Sequence, residues 1–148
     1  MIQRFDHVTV VVRDLERART FFGLLGFVED KAVVIKGPMM DAYMGVPGLE
    51  ADHVTLVLRG VTPRLEVQIL RYRHPEPLAD PNIERLEKVG FNHVCFAVDD
   101  LERELGRLRA AGIEARTDVL DFHGRKLVFL RGPEGITVEL SERYLRAD

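Results

Sequence analysis

The chain has 148 residues, of which 46% are hydrophobic and 30% charged, and its net charge is -3. This balance is ordinary for a soluble globular protein; it leaves no basic footprint for nucleic acid and no apolar run near the roughly 20 residues that a membrane span needs. A single cysteine excludes an intrachain disulfide, and the opening MIQRFDHV has neither the basic start nor the apolar stretch of a signal peptide, so a cytoplasmic protein is expected.

Residues 5–12 alternate and are rich in β-branched side chains, which predicts a strand. Asp14 then supplies a helix N-cap, and the helix runs to about Leu25, where Gly26 stops it. Residues 27–36 read as a strand, and the segment MMDAYMGVPG as a short helical turn and loop. Two further strands, 52–59 and 64–72, are joined by a turn from Gly60 to Pro63. Three prolines in RHPEPLADP mark a linker over 74–90, which includes a short helix near 82–89. Beyond it the pattern repeats: a strand at 91–98, a helix at 100–111 ended by Gly112, and a strand at 113–119. Strands at 125–131 and 136–142 form a hairpin around Gly132-Pro133-Glu134-Gly135.

The recurrence is visible in the letters. FDHVTVVVRDLER and FNHVCFAVDDLER agree at 8 of 13 positions without a gap, including a histidine in each. Such self-similarity predicts two copies of one supersecondary unit. The expected fold is α+β: a first βαβββ module at 1–73 and a second at 91–148, forming one compact domain in which curled mixed sheets make a trough.

Alternation along a strand assigns faces. Val8, Val10 and Val12 lie on one face of the first strand and Phe5, His7, Thr9 and Val11 on the other. In the second copy Val94, Phe96 and Val98 oppose Phe91, His93, Cys95 and Ala97. The last strands behave alike: Leu65, Val67 and Ile69 oppose Glu66, Gln68 and Leu70, while Ile136, Val138 and Leu140 oppose Thr137, Glu139 and Ser141. The wholly apolar faces must meet the helices. The opposite faces then carry four strong metal donors, His7, Glu66, His93 and Glu139, beside small or polar neighbours such as Thr9, Gln68 and Cys95. Imidazole and carboxylate donors suit Zn, Ni, Co, Mn or Fe(II) better than Ca. His53 and His74 read as structural or surface residues. His123, in DFHGRK, reads as part of a loop at the cavity mouth.

DHVTVVVRDLERARTFFGLLGF, FNHVCFAVDDLERELGRLRAAGI and GRKLVFLRGPEGITVELSE resemble the vicinal oxygen chelate superfamily, the glyoxalase, bleomycin-resistance and extradiol dioxygenase group. The resemblance covers nearly the whole chain. It implies two βαβββ modules around one divalent metal ion held by His7, Glu66, His93 and Glu139. That set resembles glyoxalase I, and methylmalonyl-CoA epimerase is similar with a glutamine at the second position. The family's Asp-Pro-x-Gly turn is Gly132-Pro133-Glu134-Gly135 here, and its frequent late-helix tyrosine is Phe22. No set of residues resembles a glutathione site.

The chemistry so implied is proton abstraction next to a metal-chelated carbonyl, by an isomerase, epimerase or lyase acting on a small 2-oxo or thioester acid. Glu139 is the first choice of base and Glu66 the second. Tyr43, Phe122, His123 and Arg125, with Thr9, Gln68 and Cys95, are expected to shape the substrate pocket, as are Met39 and Met40. The alternatives are a metal-free small-molecule binding protein of the bleomycin-resistance type and an Fe(II) extradiol dioxygenase. A homodimer is expected, because the edge strands of such modules must be covered.

Overall fold

A computed structural model describes residues 1–144, and the chain divides into two units, Met1–Ala79 and Asp80–Asp148. The first unit contains β1 (His7–Val11), α1 (Leu15–Leu24), β2 (Phe27–Lys36), α2 (Pro38–Met44), β3 (Glu50–Leu58) and β4 (Glu66–His74). Its sheet has the order β1-β4-β3-β2, with β1 parallel to β4 and the other pairs antiparallel. The second unit contains β5 (His93–Ala97), α3 (Leu101–Ala110), β6 (Leu120–Phe122), β7 (Arg125–Arg131) and β8 (Thr137–Arg143). Its order, β5-β8-β7-β6, repeats the first, with β5 parallel to β8. The fold is thus α+β, built from two βαβββ modules. Among the described residues, no helix is long and apolar enough to cross a membrane.

The same local chemistry starts both long helices. Asp14 accepts a hydrogen bond from the Arg17 amide, and Asp100 accepts one from Arg103, each satisfying an amide that the first helical turn leaves unpaired. The apolar faces then close on each other as the alternation requires. Val12, Val67 and Ile69 are buried beneath Ala18, Phe21 and Phe22 of α1. Phe22 is fully buried and meets Phe21 and Phe27 edge-on, with ring centroids 5.3 and 5.9 Å apart. In the second unit Val138, Leu140, Val128 and Leu130 are buried, as are Leu101, Leu105 and Leu108 of α3. Each such leucine contributes roughly 1.5–3 kcal/mol by leaving water.

One end of the other face of the first sheet is also closed. Residues paired across strands point to the same face, so Ala51, Leu70 and Tyr72 share the face of Gln68. Ala51 and Leu70 are buried with Leu49, packed by Met40, Met44 and Val46 from α2 and the loop after it. The Asp41 carboxylate pins that loop, accepting from the Gly48 and Leu49 amides, both at 2.9 Å. The His7 to Gln68 end of the face, with Thr55 and His53 beside it, carries polar side chains.

Two expected elements are absent. The short helix near 82–89 is a series of turns. Ile83 and Arg85 donate to the Asp80 and Asn82 carbonyls, but the Glu84 carbonyl accepts from the Arg116 guanidinium and the Leu86 carbonyl from the Asn92 side chain. The acceptors of a continuing helix are therefore taken by tertiary partners. The strand expected at 113–119 is displaced as well. Only Ala115 makes an isolated bridge, to Leu130, and the paired strand is β6, at Leu120–Phe122. His123 and Gly124 fix this outcome. Both have positive φ, 47° and 76°, so they form a two-residue hairpin turn that pairs Phe122 with Arg125 and sets the register outward from there.

Candidate functional site

Each unit presents one half-set of donors on the face away from its long helix. In the first, β1 and β4 run parallel with His7 directly opposite Glu66 and Thr9 opposite Gln68. Donor atoms of Asp6, His7 and Glu66 lie within 4.8 Å of one another. His7 Nδ1 is 2.7 Å from Asp6 Oδ2, and this hydrogen bond is the leading cause that holds the Asp6 carboxyl below its usual range. Glu66 is also tied down on its other side. Arg64 Nε donates to Glu66 Oε1 at 2.5 Å while its Nη2 donates to Asp30 at 2.7 Å. Gln68 Nε2 donates to Glu66 Oε2 at 3.3 Å, and Gln68 Oε1 lies 3.0 Å from His53 Nε2.

In the second unit, His93 Nε2 is 2.7 Å from Glu139 Oε2. Its other ring nitrogen, Nδ1, is 2.7 Å from Asn92 Oδ1. Glu139 is only 9% exposed and lies between Thr137 and Ser141, both buried, along the inner face of β8. Phe129 closes one side of the imidazole, edge-on with centroids 5.1 Å apart. The Arg116 guanidinium donates to Thr137 Oγ1. Cys95, opposite Glu139, is the chain's single cysteine and keeps an exposed surface. Desolvation, reinforced by the Glu139 charge, pushes its thiol up to about 11, with Arg125 opposing. It is a weak nucleophile and a wall residue.

The two halves share a device. In both, the residue before the histidine offers a side-chain oxygen to Nδ1, which orients the ring and leaves Nε2 available as a donor. An imidazole nitrogen beside a carboxylate is the donor chemistry of a divalent transition ion, so each half-set fits such an ion. They differ in register, however. Glu66 is opposite its histidine, whereas His93 is opposite Thr137 and Glu139 is opposite Cys95. The positional counterpart of Glu139 is Gln68, opposite Thr9.

The remaining pocket candidates are spread out. Tyr43 is 81% exposed on α2, Met39 is exposed beside it, and Met40 is part of the packing over Leu70. Phe122 and His123 touch ring to ring at 4.1 Å on the β6–β7 turn, which is a tight hairpin and not a long loop. Arg125 begins β7 on the face that carries Glu139. Sequence reasoning missed Asp6, Asn92 and Phe129, and it read His53 as structural or surface; Thr137 it placed on the face of Glu139. The aligned repeat does contain one signal, since Asp6 and Asn92 occupy the same place before the two histidines.

A model of the Glyoxalase/Bleomycin resistance protein/Dioxygenase superfamily matches residues 4–140. The chain belongs to that superfamily. Among superfamily relatives, an ethylmalonyl-CoA/methylmalonyl-CoA epimerase of Cereibacter sphaeroides is 29% identical over 96% of this chain and 99% of its own length. A lactoylglutathione lyase of Schizosaccharomyces pombe is 26% identical over 95% of this chain, which spans 45% of that longer protein. A glyoxalase family protein from Bacillus cereus superposes with a TM-score of 0.87 over 98% of this chain and 97% of its own, at 24% identity, a likeness of fold. The superfamily thus includes epimerases and lyases, and an enzyme is consistent with these relatives.

Proposed function

We propose that this protein is a metal-dependent isomerase, epimerase or lyase that removes a proton from a carbon next to a carbonyl. The observation that carries the reading is the His93–Glu139 pair: a nearly buried carboxylate, 2.7 Å from an imidazole whose orientation is fixed from behind, on the sheet face that the helices leave open. Its counterpart in the first unit, His7 with Glu66, repeats the donor types. His7, Glu66, His93 and Glu139 would together hold one divalent ion of the Ni, Co, Zn, Mn or Fe class, within one chain or across a homodimer. When bound, that ion acts as a Lewis acid toward a carbonyl oxygen.

The chain's own residues supply the rest. Glu139 accepts the substrate proton as general base, and its restricted surroundings keep water away from the carboxylate. Asn92 and Asp6 hold the two imidazoles in place. Phe129 limits ring motion at His93. Glu66 is the second candidate base, but its bond to Arg64 favours a fixed carboxylate over a mobile one. The relationship to an epimerase over 99% of that protein's length favours a thioester or 2-oxo acid as substrate.

Register favours a second reading of the first half-set. Gln68 occupies the position equivalent to Glu139, so Gln68 is an alternative to Glu66 as donor. Elemental analysis of protein purified without chelator or nickel affinity tests the whole scheme. About one divalent ion per chain is expected, lost in His7→Ala and His93→Ala. Loss in Glu66→Ala but not Gln68→Ala assigns the donor to Glu66, and the reverse assigns it to Gln68. No metal after addition of Ni, Co, Mn, Zn or Fe(II) would replace this reading with a metal-free binding protein. Fe(II)-dependent oxygen uptake with a catechol would replace it with a dioxygenase. Light scattering on the same samples tests the proposed dimer.

A further inference from the structure

Beyond the base and the metal donors, the inner face of the second sheet carries a half-buried cation, Arg125, for which the described residues supply no carboxylate partner. Counting along β7, Arg125, Leu127 and Phe129 lie opposite Arg143, Ser141 and Glu139 of β8, so Arg125 shares the face of Glu139. Cys95 reaches the same face from β5, opposite Glu139. Arg125, Glu139 and Cys95 therefore lie on one face of this sheet. Arg116 is engaged with Thr137 and the Glu84 carbonyl, and Arg131 with Glu84 and Glu114, while Arg143, opposite Arg125, is exposed to solvent. Arg125 is half-buried, and among the described residues no carboxylate pairs with it.

Its neighbourhood makes that state costly. Across the β7–β8 ladder its direct partner is another arginine, and like charges opposite each other destabilise an antiparallel pair. A guanidinium partly withdrawn from water wants a bidentate oxyanion in return. Beside it, across the hairpin, Phe122 presents a ring that is 55% exposed, an apolar surface next to the charge.

We propose that Arg125 binds a carboxylate of the substrate and so determines specificity for an acid, with the substrate's reactive carbon held toward Glu139. This rests on the proton-abstraction reading of the site, but the anion preference of Arg125 is measurable without turnover. The full chain is alkylated at Cys95, its only cysteine, by iodoacetate and by neutral iodoacetamide in parallel. Both reagents use the same thiolate, so the ratio of their rates cancels any change in thiol ionisation and reports anion recruitment. In Arg125→Met the iodoacetate-to-iodoacetamide ratio falls about fivefold, the size of a partly exposed charge interaction. In Arg125→Lys, which keeps the charge, the ratio stays within about twofold, and this variant also guards against a folding defect. An unchanged ratio in Arg125→Met overturns the proposal. The second arm follows hydrogen exchange from D2O into a 2-methyl dicarboxylic acid thioester and into the same thioester with its free carboxylate methylated. Arg125→Met raises KM for the acid by about tenfold or more and leaves the ester unchanged. Equal effects on acid and ester refute carboxylate recognition. A fall in the alkylation ratio with no exchange into either compound by the unmodified protein keeps Arg125 as an anion site and refutes the reaction.

Discussion

Replacing Glu139 by glutamine separates the chemical role of this carboxylate from its structural one. Glutamine has the same shape, so Thr137 and Ser141 on either side need not move. What changes is the 2.7 Å contact with His93 Nε2, from a charged partner to a neutral one. Hydrogen bonds to charged groups contribute about 1.5–3 kcal/mol and neutral ones about 0.5–1.5, so the loss of stability is about 1 kcal/mol. For a chain of this length that corresponds to a fall in Tm of about 2–4 °C. The effect on rate is of another order, because a positioned general base contributes about 10²–10⁴-fold. The assay pairs thermal unfolding by circular dichroism with hydrogen exchange from D2O into a thioester or 2-oxo acid. A variant that retains more than a tenth of the exchange rate refutes Glu139 as the base. A fall in Tm above about 10 °C refutes the stability argument and makes the residue a structural element of β8.

Three further outcomes follow from the packing and charge of the fold. Phe22→Ala removes a fully buried ring with two edge-on aromatic partners, and urea unfolding should show a loss of about 3–5 kcal/mol. Gly132→Ala would place a methyl group 2.8 Å from Ile136 Cγ1 and 3.0 Å from its carbonyl oxygen, so a loss of about 1–3 kcal/mol is expected in the same assay, and an unchanged midpoint would show that the turn yields freely. Asp52 is held below its ordinary range first by the hydrogen bond from Arg73, at 2.6 Å, and then by Arg71, at 2.8 Å. A lowered carboxyl contributes stability above its unfolded value of about 3.9 and loses it as pH falls through the lower folded value. Asp52→Asn should therefore be less stable at pH 7 by about 1 kcal/mol, and the difference should shrink only in acid below that unfolded value.

Much of this protein is legible in its letters, because the controlling interactions are local or periodic. The repeat announces two modules, Asp14 and Asp100 announce their helix starts, and alternation puts His7, Glu66, His93 and Glu139 on the faces away from the helices. Local chemistry was not enough at 82–89, where carbonyls that a helix would use are captured by Arg116 and Asn92. It also failed at 113–119, because a histidine and a glycine, not the usual Asn-Gly, make the turn that sets the pairing of β6.

Register was the part that only the tertiary structure decided. The side-chain period of a strand is two residues, so a shift of two keeps every residue on its face and leaves no trace in the alternation. β1 and β4 are far apart in sequence, as are β5 and β8, and no tight turn fixes how they slide. Packing of each whole module sets Glu66 against His7 but Glu139 against Cys95. The same packing makes Gln68 the counterpart of Glu139, brings His53 to Gln68, and leaves Arg125 facing Arg143. The sequence by itself thus determined which side chains share a face, and the folded sheets determined which of them meet.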